Sequence, residues 1–257
     1  MGTLRIATAA ALTLVVGLAL AGCGEKPPAA DSSSSEAEQQ GADAAFEALT
    51  QENIAQRITD AQMKAGTAHL SQVMEIAGQK TTAEGDMTFT ADFASTKAHV
   101  TQSGPTGKTE TILVDGQMYM NLGELSQNKF VQFGEGNGMF EPKDVIGAFS
   151  PQTQMETFGK AIKEFTVGES EVIDGVETTQ YTLLLDSATL LSGSLTAGVD
   201  PALVGDTITY VLWVGNEDDL QRRTVMTFTD ASTTAEFTRW GEPVDIQAPS
   251  PDQIGSL

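Results

Sequence analysis

From Thr67 onward, apolar and polar residues alternate in short runs broken by turn signals, the period-two pattern of half-buried strands. The runs are 67–77, 80–90, 96–103, 108–114, 117–122, 130–133, 164–173, 176–186, 207–214, 220–229 and 232–240, eleven in all. Asp115-Gly116 and Asp174-Gly175 separate two of the pairs and are tight-hairpin signals, with glycine in the left-handed region. Adjacent runs joined this closely make an antiparallel meander, and a sheet of this size must curl or close.

Alternation sorts the side chains onto faces. Tyr181, Leu183 and Leu185, then Ile208, Tyr210, Leu212 and Val214, then Leu220, Met226 and Phe228 share one side. Met118, Met120 and Leu122 do the same on the fifth run, while the opposite positions are rich in Thr, Glu and Gln. Helical spacing appears in three places. Ile54, Ile58 and Ala61 predict a helix from a Thr50 cap to about Lys64, ended by Gly66. Val145, Ile146 and Phe149, then Met155, Phe158 and Ile162, predict two short helices between Glu141 and Lys163, broken at Ser150-Pro151. Residues 187–205 read as a short helix and loop, and the proline-bearing tail 241–257 as extended.

The chain opens differently. Arg5 precedes an uncharged apolar run from Ile6 to Ala21, too short for a confident membrane span and ending in Leu20-Ala21-Gly22-Cys23. The pattern looks like a lipobox: residues 1–22 read as a lipoprotein signal peptide, and Cys23, the single cysteine, as the acylated first residue of the mature chain. Two or more acyl chains, at ~0.8 kcal/mol per buried CH₂, anchor stably where one is marginal. Residues 23–44, rich in Ser, Ala, Glu, Gln and Pro, read as a solvated tether with an r.m.s. span of about 25 Å. The domain then runs from 45 to 257, held on the extracytoplasmic face of the cell membrane, with no internal disulfide available to it.

Removing the signal leaves 13 Lys and Arg against 35 Asp and Glu, a net of −22, which repels nucleic acid and anionic headgroups alike. Catalytic chemistry finds little material. His69 and His99 sit in strand patterns without a nucleophile beside them. Ser126-Gln127-Asn128-Lys129 has the Ser-x-x-Lys spacing but none of its companion motifs. Gly134, Gly136 and Gly138 lack the phosphate-loop context, and Asn216-Glu217-Asp218-Asp219 lacks calcium-loop spacing. No cofactor or metal is implied. A curled sheet whose inner face carries Met74, Met87, Met118, Met120 and Met226 suits varied apolar ligands, or else an ordinary filled core.

Val211-Leu212-Trp213-Val214, an acidic turn, Leu220-Gln221-Arg222-Arg223, and then Gly241-Glu242-Pro243-Val244-Asp245-Ile246-Gln247-Ala248-Pro249 resemble the LppX/LprAFG lipoproteins of actinobacterial envelopes. Ala83-Glu84-Gly85-Asp86 and Asp174-Gly175-Val176-Glu177-Thr178-Thr179-Gln180-Tyr181-Thr182 fit the same family. The resemblance implies an α+β, LolA-like half-barrel: a U-shaped antiparallel sheet of about eleven strands with helices on its concave side. It also implies binding of acylated lipid or glycolipid for transport across the envelope, in some cases alongside a membrane exporter, and no catalysis. The lipid-anchor residue is Cys23. By alternation, the cavity would be lined by Met118, Met120, Leu183, Leu185, Tyr210, Leu212, Val214, Met226 and Phe228. The alternative is an interaction or sensor lipoprotein whose inner face is filled by its own helices.

Overall fold

The computed structural model describes residues 47–105, 107–133, 157–191, 204–229 and 231–255. The signal, Cys23, the tether, the Gly134–Gly138 loop and most of the two helices expected before Lys163 lie outside these residues.

Eleven strands form one antiparallel sheet: β1 (Thr67–Ile76), β2 (Gln79–Thr88), β3 (Ala98–Gly104), β4 (Gly107–Val114), β5 (Gln117–Asn121), β6 (Phe130–Phe133), β7 (Ile162–Ile173), β8 (Val176–Asp186), β9 (Thr207–Gly215), β10 (Gln221–Thr227) and β11 (Ala231–Thr238). Their order across the sheet is β6-β5-β4-β3-β2-β1-β11-β10-β9-β8-β7. Two meanders therefore meet where β1 pairs with β11, and the sheet stays open at β6 and β7. The strand rhythm predicts the antiparallel meanders, and the family resemblance implies this half-barrel. Asp115-Gly116 and Asp174-Gly175 have φ of 51° and 69° and of 50° and 80°, the doubly left-handed turn that matches strand twist.

Two boundaries differ from the sequence expectation. Ile162, assigned to a helix by its spacing from Phe158, instead begins β7; only residues 157–161 are helical among those described there. Its partner across the sheet is Leu185, so it joins the core as a strand residue. In β10 the pairing slips between Gln221 and Arg223, so that Gln221, not Leu220, stands opposite Val214. A bulge adds one residue to one strand, and every face assignment before it moves by one.

Helix α1 (Ile54–Ala65) crosses the inner face. Gly66, at φ 78°, ends it and donates its backbone N–H to the Gln62 carbonyl at 2.8 Å. Ile54 and Ile58, one turn apart, are buried with Leu183, Leu185, Tyr210, Leu212 and Val214; each such side chain contributes about 1.5–3 kcal/mol on burial. The preceding segment is tied down as well, for the Leu49 N–H donates to the Tyr181 hydroxyl at 3.0 Å. A short helix, α2 (Ser187–Leu191), follows β8. Asp186 caps it by accepting from the Thr189 N–H at 2.8 Å.

The outer face has its own cover. Val244 and Ile246 of the tail, two residues apart, pack on Ile112, Val114, Tyr119 and Phe130. Farther on, Ile254 bridges to Phe130 and the Gly255 N–H donates to its carbonyl at 2.8 Å, covering part of the β6 edge.

Candidate functional site

Cross-strand register places the apolar residues read by alternation on one continuous face. Directly opposed residues point the same way, so Leu185–Ile208, Leu183–Tyr210–Met226–Thr233 and Tyr181–Leu212–Thr224–Ala235–Gln72–Ala83 are rows of the inner face. Farther along the sheet, Leu70–Gly85–Val100–Thr111–Met120–Val131 and Ala68–Met87–Ala98–Leu113–Met118–Phe133 continue it.

Burial divides these residues. Leu183, Leu185, Tyr210, Leu212 and Val214 are all at most 5 % exposed beneath α1, with Phe158, Ala161 and Val204 packed among them. Met226 and Phe228 are half-buried at the margin of that cluster. Met118 and Met120 stand across the sheet on β5, half-buried and away from the other seven. A second inner cluster, Ala68, Leu70, Met87, Phe89, Ala235 and Phe237, lies around the β1–β11 junction. Trp240 stacks on Phe89 and Phe237 at its rim, with ring centroids 5.3 and 5.9 Å apart.

Gly85 has a structural reason to be glycine. A Cβ there would lie 2.0 Å from the His99 carbonyl oxygen and 2.7 Å from the Val100 Cα, so β2 and β3 approach too closely for any side chain.

Between the two apolar clusters runs a polar seam that alternation did not reveal. Gln62 of α1 donates from Nε2 to Gln221 Oε1 at 2.9 Å, both residues being fully buried. Thr59, one turn earlier on α1, is buried too, as are Thr224 and Gln72, which share a row of the inner face with Ala235 between them. Burial pushes the Tyr210 hydroxyl up to about 12, against the opposing approach of Thr224 and Gln221, so it stays protonated. Gln221 escapes a sequence reading because only the bulge in β10 turns it inward.

The chemically suggestive residues have other employment. His69 Nδ1 is 2.7 Å from Asp86, which also takes Arg239 at 2.9 Å, and His99 Nε2 is 2.6 Å from Glu110, all on the outer face. In the acidic turn Asp219 binds Arg57, and Asp218 binds Arg222 at 2.5 Å. The Ser126 hydroxyl accepts the Leu122 N–H at 2.9 Å, and the Lys129 ammonium donates to the Asp252 carbonyl. Among the described residues no three His, Cys, Asp or Glu come together as a metal site, and no helix is long and apolar enough to cross a membrane.

An open antiparallel sheet with one apolar face roofed by a helix defines a half-barrel, and known proteins share that fold. The crystal structure of lipoprotein LppX from Mycobacterium tuberculosis matches with a TM-score of 0.56 at 14% identity, covering 77% of this chain and 98% of that one. LprF from Mycobacterium bovis matches with a TM-score of 0.52 at 16% identity, over 78% and 97% of the two chains. In sequence, lipoprotein LprA of Mycobacterium tuberculosis is 25% identical over 252 residues, covering 95% of this chain and 97% of its own length. The model of the LppX_LprAFG lipoproteins matches residues 51–246, and the chain belongs to that family.

Proposed function

We propose that this protein is an envelope lipoprotein, anchored through Cys23 to the extracytoplasmic face of the membrane, that binds an acylated lipid or glycolipid on its inner face. Transport of that lipid across the envelope, with exchange at a membrane exporter, is the role that follows, and it needs no catalytic group. One observation carries the reading. The apolar inner face extends from β8 to β6, well beyond the part packed against α1, and at Met118, Met120, Met226 and Phe228 its side chains are only half-buried. Unbranched, polarizable methionines adapt to chains of varied shape, and apolar burial supplies ~25 cal/mol per Å².

A second reading, an interaction or sensor lipoprotein without cargo, draws on the tight packing of Leu183, Leu185, Tyr210, Leu212 and Val214 under α1. Native mass spectrometry of the mature protein from its own host separates the two. Retained acylated lipid is the expected result, and a folded protein that carries none overturns the carrier reading.

A further inference from the structure

The chain that follows β11 crosses half of the sheet on its outer side. Its root is fixed to β1: the Gly241 N–H donates to the Thr67 carbonyl at 3.1 Å, and the Thr67 hydroxyl donates to the Glu242 carbonyl at 2.7 Å. Val244 and Ile246 then nest on Ile112 and Val114 of β4, Tyr119 of β5 and Phe130 of β6. The far end is fixed at the start of β6, where the Lys129 ammonium donates to the Asp252 carbonyl and the Gly255 N–H to that of Phe130. Distance makes the first part of this path taut. From β1 to β4 is three strand spacings, about 14 Å at ~4.8 Å each. The four residue steps from Glu242 to Ile246 reach about 13–14 Å when fully extended. Pro243 stiffens the middle of that span, which has little slack to give.

Under the taut span lies a bend in the sheet. Gly85 shares its inner-face row with Leu70 and Val100, and the His99 carbonyl and the Val100 Cα stand where its Cβ would be. The β3 backbone thus leans over the inner side of β2, and the sheet folds inward between them. Strands β3 to β6 form an arm beyond that bend, and the tail crosses the bend on the outside. Rotating the arm farther inward lengthens the outer path, which a taut tail opposes; rotating it outward shortens that path. A force for closing inward is present, because Met118 and Met120 on the inner face of the arm are only half-buried and would shed water on closing.

We propose that the tail is a tie that holds the β3–β6 arm of the half-barrel open. Thr67 and the apolar patch under Val244 and Ile246 are its two fixings, and the bend at Gly85 is the hinge between them. Release of the tail from Thr67 lets the arm fold over Met118 and Met120. The tie stands on geometry alone and holds whatever the inner face binds.

The test uses the mature chain, residues 23–257, with Cys23→Ser and spin labels at Leu125→Cys, in the turn between β5 and β6, and Val172→Cys on β7. These positions are 76 % and 63 % exposed, so both accept a label. Double electron–electron resonance between them reads the gap between the two open edges of the sheet. Inserting Gly-Ser-Gly between Glu242 and Pro243 adds about 10 Å of reach across the bend. The distance should shorten and its distribution broaden. The same insertion between Gln247 and Ala248 falls after both fixings and should leave the distance as in the parent. An unchanged distance with the first insertion, or the same change with both, overturns the tie. If the first insertion prevents folding, Thr67→Val decides instead. It keeps a β-branched residue in β1 but removes the hydroxyl that holds the Glu242 carbonyl, and should shift the distance in the same direction. A parent-like distance in that variant also overturns the tie.

Discussion

Arg57 of α1 and Asp219 of the β9–β10 turn are joined by two parallel hydrogen bonds, Nε to Oδ2 at 2.9 Å and Nη2 to Oδ1 at 2.8 Å. The fork locks the outer end of the roof helix to a hairpin 162 residues away in sequence. Asp219 itself has φ of 55°, a conformation that asparagine also tolerates. Arg57→Met and Asp219→Asn should therefore each lower stability by about 1 kcal/mol, and the double variant should lose little more. Urea unfolding of the four proteins measures the coupling, and strict additivity would show that the pair does not hold α1.

The adjacent pair of left-handed residues at each tight turn sets a second expectation. Gly116→Val and Gly175→Val place a β-branched residue at φ of 69° and 80° and should each cost on the order of 1 kcal/mol or more. The β1–β2 turn has the same geometry but carries Ala77 at φ 49° ahead of Gly78 at 77°. Ala77→Asn should stabilise by a few tenths of a kcal/mol, since asparagine visits that region at lower cost. Thermal melting of all three variants checks the pattern. A melt unchanged in both glycine variants would contradict the turn assignment.

Gly85→Ala tests the close approach of β2 and β3. The added methyl meets backbone rather than a flexible side chain, so the strands must separate, at a cost of about 1–3 kcal/mol. Loss of amide protection at the β2–β3 pairing, read by hydrogen exchange, is the expected signature. Wild-type protection there would mean that the sheet absorbs the methyl elsewhere.

Acid should loosen the start of α2. Asp186 is held down to about 2 from 3.8, first by the Lys163 ammonium at 2.5 Å and then by the Thr189 hydroxyl and N–H. A depressed carboxyl pKa stabilises the fold above the unfolded value, and that contribution is lost as pH falls from about 4 through about 2. Asp186→Asn should lower stability at pH 7 and flatten this acid limb. A parent-like slope between pH 4 and 2 in the variant would assign the acid sensitivity to other groups.

Burial predicts opposite fates for two charged substitutions on the same face. Leu212 is 1 % exposed beneath α1, so Leu212→Arg buries an unpaired charge and should prevent folding, and Leu212→Ala should cost ~2–5 kcal/mol. Met120 is half-buried, and the long arginine stem of Met120→Arg allows its guanidinium to reach water. That variant should fold, with circular dichroism like the parent, and lose bound lipid. Full lipid retention would remove β5 from the ligand face.

Strand existence, the two Asp-Gly turns and the sidedness of β8, β9 and β5 were determined by the sequence itself. Each depends on residues within a few positions of one another, through side-chain period or allowed backbone dihedrals. The resemblance carried by Ala83–Asp86, Asp174–Thr182 and Gly241–Pro249 was legible for the same reason, although its cause was not. Only the folded chain shows that Gly85 makes room for the β3 backbone, and that Val244 and Ile246 cover an apolar patch on the outer face. Tertiary structure also decided which inner-face residues are core. Leu212 and Met120 alternate identically, and what separates them is whether α1 lies overhead. Gln221 is the extreme case: one bulged residue in β10, fixed by pairing with β9, turns a polar side chain inward to meet Gln62, 159 residues away. A contact at that separation is set by the register of whole strands, which no local pattern encodes.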